Sequence, residues 1–228
     1  MKLVLTCEHG GYYIPKKYTR LFVDSELVLT SHRGYDIGAL NVFKSLKPLA
    51  NFSKYAITNR LLIELNRSLH HPNLFSEFSK LIPKEEKQHL IKYFYLSYRN
   101  TVETQIKNFI SHNSTVLHLS VHSFTPILNT IERHCDIGLL FDTSSKNEKA
   151  FCITLKKELK RLNPMLNVRF NYPYLGKADG FTSFLRKQFT TNYMGIEIEI
   201  NQKYATNNRM DNQLKKVLFT ALKRSLSA

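Results

Sequence analysis

The hydrophobic positions of the chain fall into short alternating or continuous runs and into longer stretches with helical spacing. The short runs predict strands over 2–7, 54–58, 61–65, 115–121, 136–141, 166–170 and 194–200. The amphipathic stretches predict helices over 36–46, 83–112, 147–162, 181–189 and 210–226. Strands that alternate with helices favour an α/β fold, with three layers (αβα) and a central mixed, mostly parallel sheet. The runs 54–58 and 61–65 are expected to pair with each other.

The longest predicted helix begins at Pro83, a residue that suits the first turn of a helix. Its apolar positions recur at helical spacing and are Leu90, Ile91, Phe94, Leu96, Tyr98, Val102, Ile106 and Phe109. In an open α/β sheet, ligands bind beyond the carboxyl ends of the strands. Polar and ionisable residues at strand ends are therefore the candidates for a functional site.

The length of 228 residues, with 43% hydrophobic and 22% charged residues, is that of an ordinary globular chain and excludes intrinsic disorder. We expect one domain over 1–228. The apolar run 3–5 is too short for a secretory signal. The longest uncharged window, 111–131, is too polar to cross a membrane.

The cysteine content and the net charge indicate the cellular compartment and the kinds of binding partner. Cys7, Cys135 and Cys152 are far apart, which excludes a zinc ribbon and a disulfide scaffold and favours the cytoplasm. The net charge of +15 attracts anions, from nucleic acid to a small acidic substrate. The lysines and arginines are spread along the chain, and no known nucleic-acid-binding motif occurs. Nucleic acid is therefore not expected as a partner.

Two histidines stand at the ends of predicted strands. Strand 2–7 leads into His9, and strand 115–121 leads into His122. Since the carboxyl ends of parallel strands lie at one edge of a sheet, the two imidazoles could bind one metal ion, with a carboxylate as a further ligand. A lone histidine is more often a hydrogen-bonded structural residue, but two at the same edge favour metal ligation.

Strict alternation over 194–200 places Glu197 and Glu199 on one face of a strand. On an edge strand these glutamates would only face water. Inside a sheet covered on both sides, each needs a partner or a function, and a carboxylate beside an activated water is a natural general base. Glu199 lies about 6.6 Å nearer the carboxyl end of the strand, so it is the predicted base. Glu197 is expected to pair with an arginine or lysine.

Asn66 and Arg67 come directly after the predicted strand 61–65. Arginine offers a planar pair of donors that fits a carboxylate, and asparagine adds a neutral donor. A surface salt bridge explains the arginine equally well at this point. His70 and His71 could ligate a metal, but neighbouring side chains on an extended chain point apart, so we discount them.

Several segments of the chain, taken in order, resemble those of the N-formylglutamate amidohydrolase family. They are 7–11 (CEHGG) with 14–15, 32–39 (HRGYDIGA), 65–72 (LNRSLHHP), 120–124 (SVHSF), Arg133 with 136–140, 171–174 (NYPY) with 179–180, and 195–202 (GIEIEINQ). That family is similar in fold to the zinc carboxypeptidases, which have a phosphorylase/hydrolase-like fold of helix, mixed sheet and helix. The resemblance therefore implies the same three layers.

The resemblance also implies a role for each matching residue. His9 and His122 would bind the metal ion, and Glu199, with Tyr204 a few residues behind it, would be the general base. Asn66 and Arg67 would hold a substrate carboxylate. Arg133, together with the metal, would stabilise the tetrahedral oxyanion.

One position departs from the carboxypeptidase pattern, because Tyr12 stands where their His-x-x-Glu motif has its glutamate. The oxygen ligand must then come from another residue. Asp36 is the choice by analogy with the family, and Glu8 and His32 are its rivals. Two nitrogens and one oxygen favour zinc as the divalent ion.

The resemblance implies a metal-dependent amidohydrolase for a small N-acylated acidic amino acid. The family's substrate is N-formyl-L-glutamate, which is cleaved to formate and glutamate, and a basic surface would help to attract such an anion. One alternative is a metallopeptidase, or an amidase for another N-acyl amino acid or peptide. A more distant alternative is a nucleic-acid-binding protein, whose affinity would depend steeply on salt.

Overall fold

A six-stranded sheet runs through the computed structural model, which describes residues 1–227. The strands are β1 (Lys2–Cys7), β2 (Phe52–Tyr55), β3 (Val116–Phe124), β4 (Ile127–Leu128), β5 (Ile131–Glu132), β6 (Ile137–Leu140), β7 (Val168–Phe170), β8 (Tyr193–Asn201), β9 (Ala205–Thr206) and β10 (Arg209–Met210). The α-helices are α1 (Glu26–Leu29), α2 (Ala39–Leu46), α3 (Lys84–Leu90), α4 (Ser97–Ser111), α5 (Lys146–Leu162), α6 (Phe181–Gln188) and α7 (Asn212–Leu226). A π-helical segment, Ile91–Leu96, joins α3 to α4.

The strand order of the sheet is β2-β1-β3-β8-β6-β7. Parallel pairs join β1 to β2, β1 to β3, β3 to β8 and β6 to β7, whereas β6 and β8 are antiparallel. The carboxyl ends of β1, β2, β3 and β8 therefore lie at one edge. The predicted mixed, mostly parallel sheet is confirmed.

Helices cover both faces of the sheet. On one face, alternate strand residues such as Leu5 and Leu119 share a core with α2, α5 and α7. On the other face, Val4 and Val116 share a second core with α6 and with the long helix formed by α3, the π segment and α4. Because successive strand residues point to opposite faces, a sheet covered on both sides also buries its polar strand residues, such as His118 of β3. The predicted three layers are confirmed.

Two predicted elements are wrong in detail. The run 61–65 forms turns rather than a strand, and β2 pairs with β1 instead. Its leucines belong to the second core, so the continuous apolar pattern reflects burial without strand pairing. The helix predicted from residue 36 begins at Ala39, because Gly38 has a φ of 79°. Asp36 consequently lies in the loop before α2.

The layer formed by α2, α5 and α7 carries much of the positive charge. These helices contain eleven lysines and arginines and two glutamates, in a chain whose net charge is +15. Residues that are spread along the sequence are thus gathered on one side of the sheet. Within residues 1–227, no helix is long and apolar enough to cross a membrane.

Candidate active site

His9, Asp36 and His122 meet at the carboxyl edge of the sheet. His9 follows β1, His122 lies near the end of the neighbouring β3, and Asp36 reaches them from the loop before α2. The Oδ2 atom of Asp36 lies 2.8 Å from Nδ1 of His122 and 3.4 Å from Nδ1 of His9. One ligand atom from each residue lies within 4.8 Å of the others, and all three residues are buried. The structure thus brings together the three residues predicted as metal ligands, and their role as ligands stays a prediction.

The other ring nitrogen of each histidine faces a carboxylate. Nε2 of His9 is hydrogen-bonded to Glu64. Nε2 of His122 lies 2.8 Å from the hydroxyl of Ser120 and 3.3 Å from Oε2 of Glu8. Metal-binding histidines commonly hold their second nitrogen against a carboxylate, which fixes the ring and makes it a better ligand. Both Nδ1 atoms are thereby turned towards Asp36.

The main chain holds this arrangement from two sides. The amide of Asp36 donates to the carbonyl of His9 at 3.0 Å, and the amide of Ser123 donates to Oδ2 of Asp36 at 3.3 Å. After His9 the chain passes so close to the next strand that a Cβ at Gly10 would lie 2.8 Å from the carbonyl oxygen of Ala56. The glycine after His9 is therefore needed for the close approach of two backbones.

The cluster gathers four buried carboxyl groups around one arginine. Glu8, Asp36, Glu64 and Glu199 are all nearly inaccessible to water, and the guanidinium of Arg60 bonds to Asp36 and Glu64. Burial alone would lower the pKa of His9, but the carboxylates of Glu64 and Asp36 raise it overall. The pKa of His122 is likewise raised, against its burial, by Asp36 and Glu8. The site thus favours a positive charge between its carboxylates, and a divalent cation supplies one.

Glu199 lies opposite His122 in the register of β3 and β8. Its side chain is 5% exposed, and its Oε2 atom has no hydrogen-bond partner within the described residues. Burial, with Asp36 and Glu197 nearby, raises the pKa of Glu199 to about 8, although His122 acts in the opposite sense. A buried carboxylate with an unpartnered oxygen beside a cluster of ligands is suited to take a proton from water.

Glu197 lies on the same face of β8 as Glu199, and both line a cavity at the carboxyl edge of the sheet together with His9, Asp36 and His122. Its Oε1 atom accepts a hydrogen bond from the hydroxyl of Thr182 at 2.9 Å. Among residues 1–227 it forms no ion pair with a lysine or arginine, so the expected pairing is wrong. The partner of Glu197 is therefore a threonine hydroxyl at the start of α6, and not the expected lysine or arginine.

Asn66 and Arg67 both line the cavity, but they are held differently. Oδ1 of Asn66 accepts a hydrogen bond from the amide of Phe181 at 2.7 Å, so the asparagine also fastens the first turn of α6. Nη1 of Arg67 donates to the carbonyl of Asp179. Within residues 1–227 the guanidinium of Arg67 has no carboxylate partner, which leaves it available to an anion in the cavity.

Arg133 lies behind one wall of the cavity. Its Nη1 atom donates to the hydroxyl of Tyr174 at 3.3 Å, and its guanidinium stacks on the rings of Tyr174 and Phe124. Both aromatic residues line the cavity. The predicted role of Arg133 at the oxyanion would require its side chain to reach past Tyr174.

The rivals of Asp36 take other positions. Glu8 accepts hydrogen bonds from the hydroxyls of Tyr98 and Ser120 behind His122. The hydrogen bond and the charge of His122 hold the pKa of Glu8 at about 2 despite its burial. His32 lines the cavity but is not part of the three-residue cluster. Tyr12, at the position of the carboxypeptidase glutamate, is half exposed and packs against Tyr35.

Sequence reasoning missed Arg60 and Glu64. Nε of Arg60 donates to Glu64 at 2.8 Å, and its Nη1 donates to Asp36 at 3.3 Å. The guanidinium of Arg60 therefore orients both Asp36, a predicted metal ligand, and Glu64, which holds His9. A signal was present, because Glu64 interrupts the buried run Leu61–Leu65, and a carboxylate inside an apolar run needs a partner.

The cavity at this edge of the sheet has a volume of about 190 Å³. Its walls combine the histidines and acids with Arg60, Arg67 and His32, and with the apolar Phe124, Leu128 and Leu175. A volume of this size suits a small molecule. The charged groups on the walls make it a site for a polar or ionic one.

Comparisons with known proteins identify a family and a shared fold. A family model described as N-formylglutamate amidohydrolase matches residues 1–205. A solved gene product of Agrobacterium tumefaciens has a TM-score of 0.80 at 25% identity, covering 99% of this chain and 90% of that one. An N-formylglutamate amidohydrolase from Ralstonia eutropha has a TM-score of 0.72 at 16% identity, covering 100% and 93%. A search of curated protein sequences gave no significant match.

The family match covers far more than half of the chain. It includes His9, Asp36, Glu64, His122 and Glu199, which form the centre of the site. The structural similarity to the Ralstonia eutropha protein adds that the fold is shared over nearly the full length of both chains. The chain is therefore an amidohydrolase and belongs to the N-formylglutamate amidohydrolase family.

Proposed function

We propose that this amidohydrolase depends on one divalent metal ion, zinc before others, held by His9, Asp36 and His122. The donor set of two imidazoles and one carboxylate is typical of catalytic zinc. The backing of both imidazoles by carboxylates supports the same assignment. The excess of buried carboxylates in the cluster gives a reason for a cation to be bound there.

We propose that the substrate is a small N-acyl acidic amino acid, with N-formyl-L-glutamate as the first choice. The observation that carries this proposal is the family match over residues 1–205, together with a small cavity that contains the guanidinium of Arg67, which has no carboxylate partner among residues 1–227. The reaction adds water across the formyl amide and releases formate and L-glutamate. We also propose that residues 1–228 form one domain, since α7, beyond the matched range, packs on α5 and α2.

The chain's own groups have separate tasks in this reaction. The metal ion, when bound, supplies Lewis acidity to the substrate carbonyl and to the attacking water. Glu199 takes the proton of that water and passes it to the leaving nitrogen. Arg67, with the side-chain amide of Asn66, holds a substrate carboxylate, and Arg133 helps to stabilise the oxyanion.

Metal analysis and a substrate panel test the proposal together. The purified protein is expected to contain one equivalent of metal, to lose activity with a chelator and to regain it with Zn²⁺. Among N-formyl-L-glutamate, N-acetyl-L-glutamate, N-formyl-L-leucine and short peptides, N-formyl-L-glutamate is expected to have the highest kcat/KM. Preference for a peptide would favour the metallopeptidase alternative, and full activity in metal-free protein would overturn metal dependence.

A further inference from the structure

Arg99 is a buried arginine in α4 that forms no ion pair with an acidic residue among residues 1–227. Its side chain is enclosed, with the whole residue 3% exposed. Its guanidinium stacks on the rings of Phe181, Phe184 and Tyr95, with distances of 4.2, 4.7 and 4.8 Å to the ring centroids. Burying a cation without a carboxylate is costly, and cation–π contacts offset part of that cost. Such a residue calls for an explanation beyond the packing of the core.

Among the described residues, Arg99 donates its hydrogen bonds to the segment that carries the proposed substrate-binding pair. Its Nη1 atom donates to the carbonyl oxygens of Leu65 and Arg67, both at 3.1 Å. The hydroxyl of Tyr95 donates to the same carbonyl of Arg67 at 2.7 Å. The backbone on both sides of Asn66 is therefore tied to the long helix.

The π-helical segment explains how Tyr95 and Arg99 come to share one face. The buried residues Leu90 and Tyr95 are five positions apart, which fits the wider spacing of a π turn. From Tyr95 the spacing returns to that of an α-helix, so Arg99 lies four positions further on the same side. The π turn thus aims both donors at the carbonyl of Arg67.

A second connection runs through α6. The ring of Phe181 lies against the guanidinium of Arg99, and the amide of Phe181 donates to Oδ1 of Asn66 at 2.7 Å. Arg99 therefore contacts the main chain of the segment 65–67 and the helix to which the Asn66 side chain is bonded. A hydrocarbon side chain could fill the same space but could not hold the two carbonyls.

We propose that Arg99, assisted by Tyr95, is a positioning residue that fixes the backbone of 65–67 and so presents the Arg67 side chain to the substrate. The inference rests on the proposed role of Arg67 in binding a carboxylate. Holding this backbone gives a role to the buried guanidinium of Arg99 and to the π turn that places Tyr95 beside it. Arg99 itself does not line the cavity and would not touch the substrate.

The full-length variants Arg99→Met and Tyr95→Phe test the proposal by steady-state kinetics. Losing hydrogen bonds to the Arg67 carbonyl should raise KM for N-formyl-L-glutamate about tenfold in Arg99→Met and by about threefold in Tyr95→Phe. In both, kcat and the metal content should stay near wild type. Tyr93→Phe is the matched control, because Tyr93 lies in the same π segment with its side chain exposed.

Two further measurements separate positioning from simple stability. In an Arg67→Ala background, Arg99→Met should raise KM no further. Hydrogen exchange at the amides of Asn66 and Ser68 should be faster in Arg99→Met and Tyr95→Phe, while the amides of β3 keep their protection. Tyr95→Phe keeps the test decisive if Arg99→Met does not fold.

Unchanged KM and unchanged exchange in the folded variants would overturn the inference, and so would an equal rise of KM in the Arg67→Ala background. The exchange measurement needs no substrate. A wild-type protein that is inactive on every N-acyl amino acid would therefore refute the proposed function, while the exchange rates would still decide whether Arg99 and Tyr95 hold the segment 65–67.

Discussion

Glu199 and His122 lie directly opposite each other on the parallel strands β8 and β3. Neighbouring strands are about 4.8 Å apart, so the register alone sets the proposed base next to a proposed metal ligand. Glu197 lies opposite Ser120, two residues further from the carboxyl edge. The pairing of two central strands thus distinguishes two glutamates that the alternation of one strand leaves equivalent.

Replacing the two glutamates by glutamine should separate them. Glu199→Gln is expected to lower kcat by about 10²–10⁴ with metal still bound, because a general base is lost. Glu197→Gln should keep much of its activity, since an amide oxygen can still accept the hydrogen bond from Thr182. Rates and metal content measured on both variants check this. If Glu197→Gln were the weaker enzyme, with both variants folded and metal-loaded, the roles would have to be exchanged.

His9→Ala and His122→Ala should each abolish stoichiometric metal binding, because each removes one of three ligands. Metal analysis of dialysed protein is the measurement. His32→Ala is the matched control, since His32 lines the cavity outside the cluster and its loss should leave the metal in place. Full metal retention in both ligand variants would refute the assignment.

Arg67→Ala should raise KM or lower kcat/KM by about 10- to 150-fold, which corresponds to about 1.5–3 kcal/mol for a hydrogen bond to a charged group. Arg33→Ala is the control, because Arg33 pairs with Glu77 outside the cavity. Asn66→Ala should also lower the melting temperature, since Asn66 bonds to the start of α6. A collapse of stability in Arg67→Ala, with normal turnover in the remaining folded enzyme, would assign Arg67 to the fold.

Arg133→Met should reduce kcat by about 10²-fold with little change in KM if Arg133 stabilises the oxyanion. The structure suggests a discriminating control, because the guanidinium bonds to Tyr174 and stacks on its ring. Tyr174→Phe removes that hydrogen bond but keeps the cation. Equal losses in the two variants would mean that Arg133 acts by holding Tyr174.

His118 should make the folded protein less stable in mild acid. Its ring is buried between the hydroxyls of Thr6 and Tyr193, and burial lowers its pKa from 6.5 to about 4. Between these values the unfolded chain binds a proton that the folded protein does not, so stability falls as the pH falls from 6.5 towards 4. The full loss is about 3 kcal/mol.

Urea unfolding of wild type and His118→Gln across this pH range measures that contribution. The glutamine does not titrate, so the difference in unfolding free energy between the two proteins should shrink as the pH falls. A difference that stays constant between pH 6.5 and pH 4 would show that His118 is not held neutral in the folded state.

Much of the layer arrangement could be predicted because it depends on local periodicity. The strands that contain His122 and Glu199 are buried on both faces, and the predicted helix 83–112 buries one face. The spacing of apolar residues along the chain indicates which faces are buried. The run 61–65 shows the limit of that rule. Its apolar residues are buried in turns, and a short apolar run does not reveal whether it pairs with a strand.

By itself, the sequence determined the strands of the six-stranded sheet and the longer helices, the strand ends at which His9 and His122 stand, and the face that Glu197 and Glu199 share. Only the tertiary structure decided that Glu64 holds His9 and that Arg99 holds the backbone of 65–67. The physical reason is that side-chain direction follows from neighbouring residues along the chain. A hydrogen-bond partner depends instead on which distant segments the packed layers bring together.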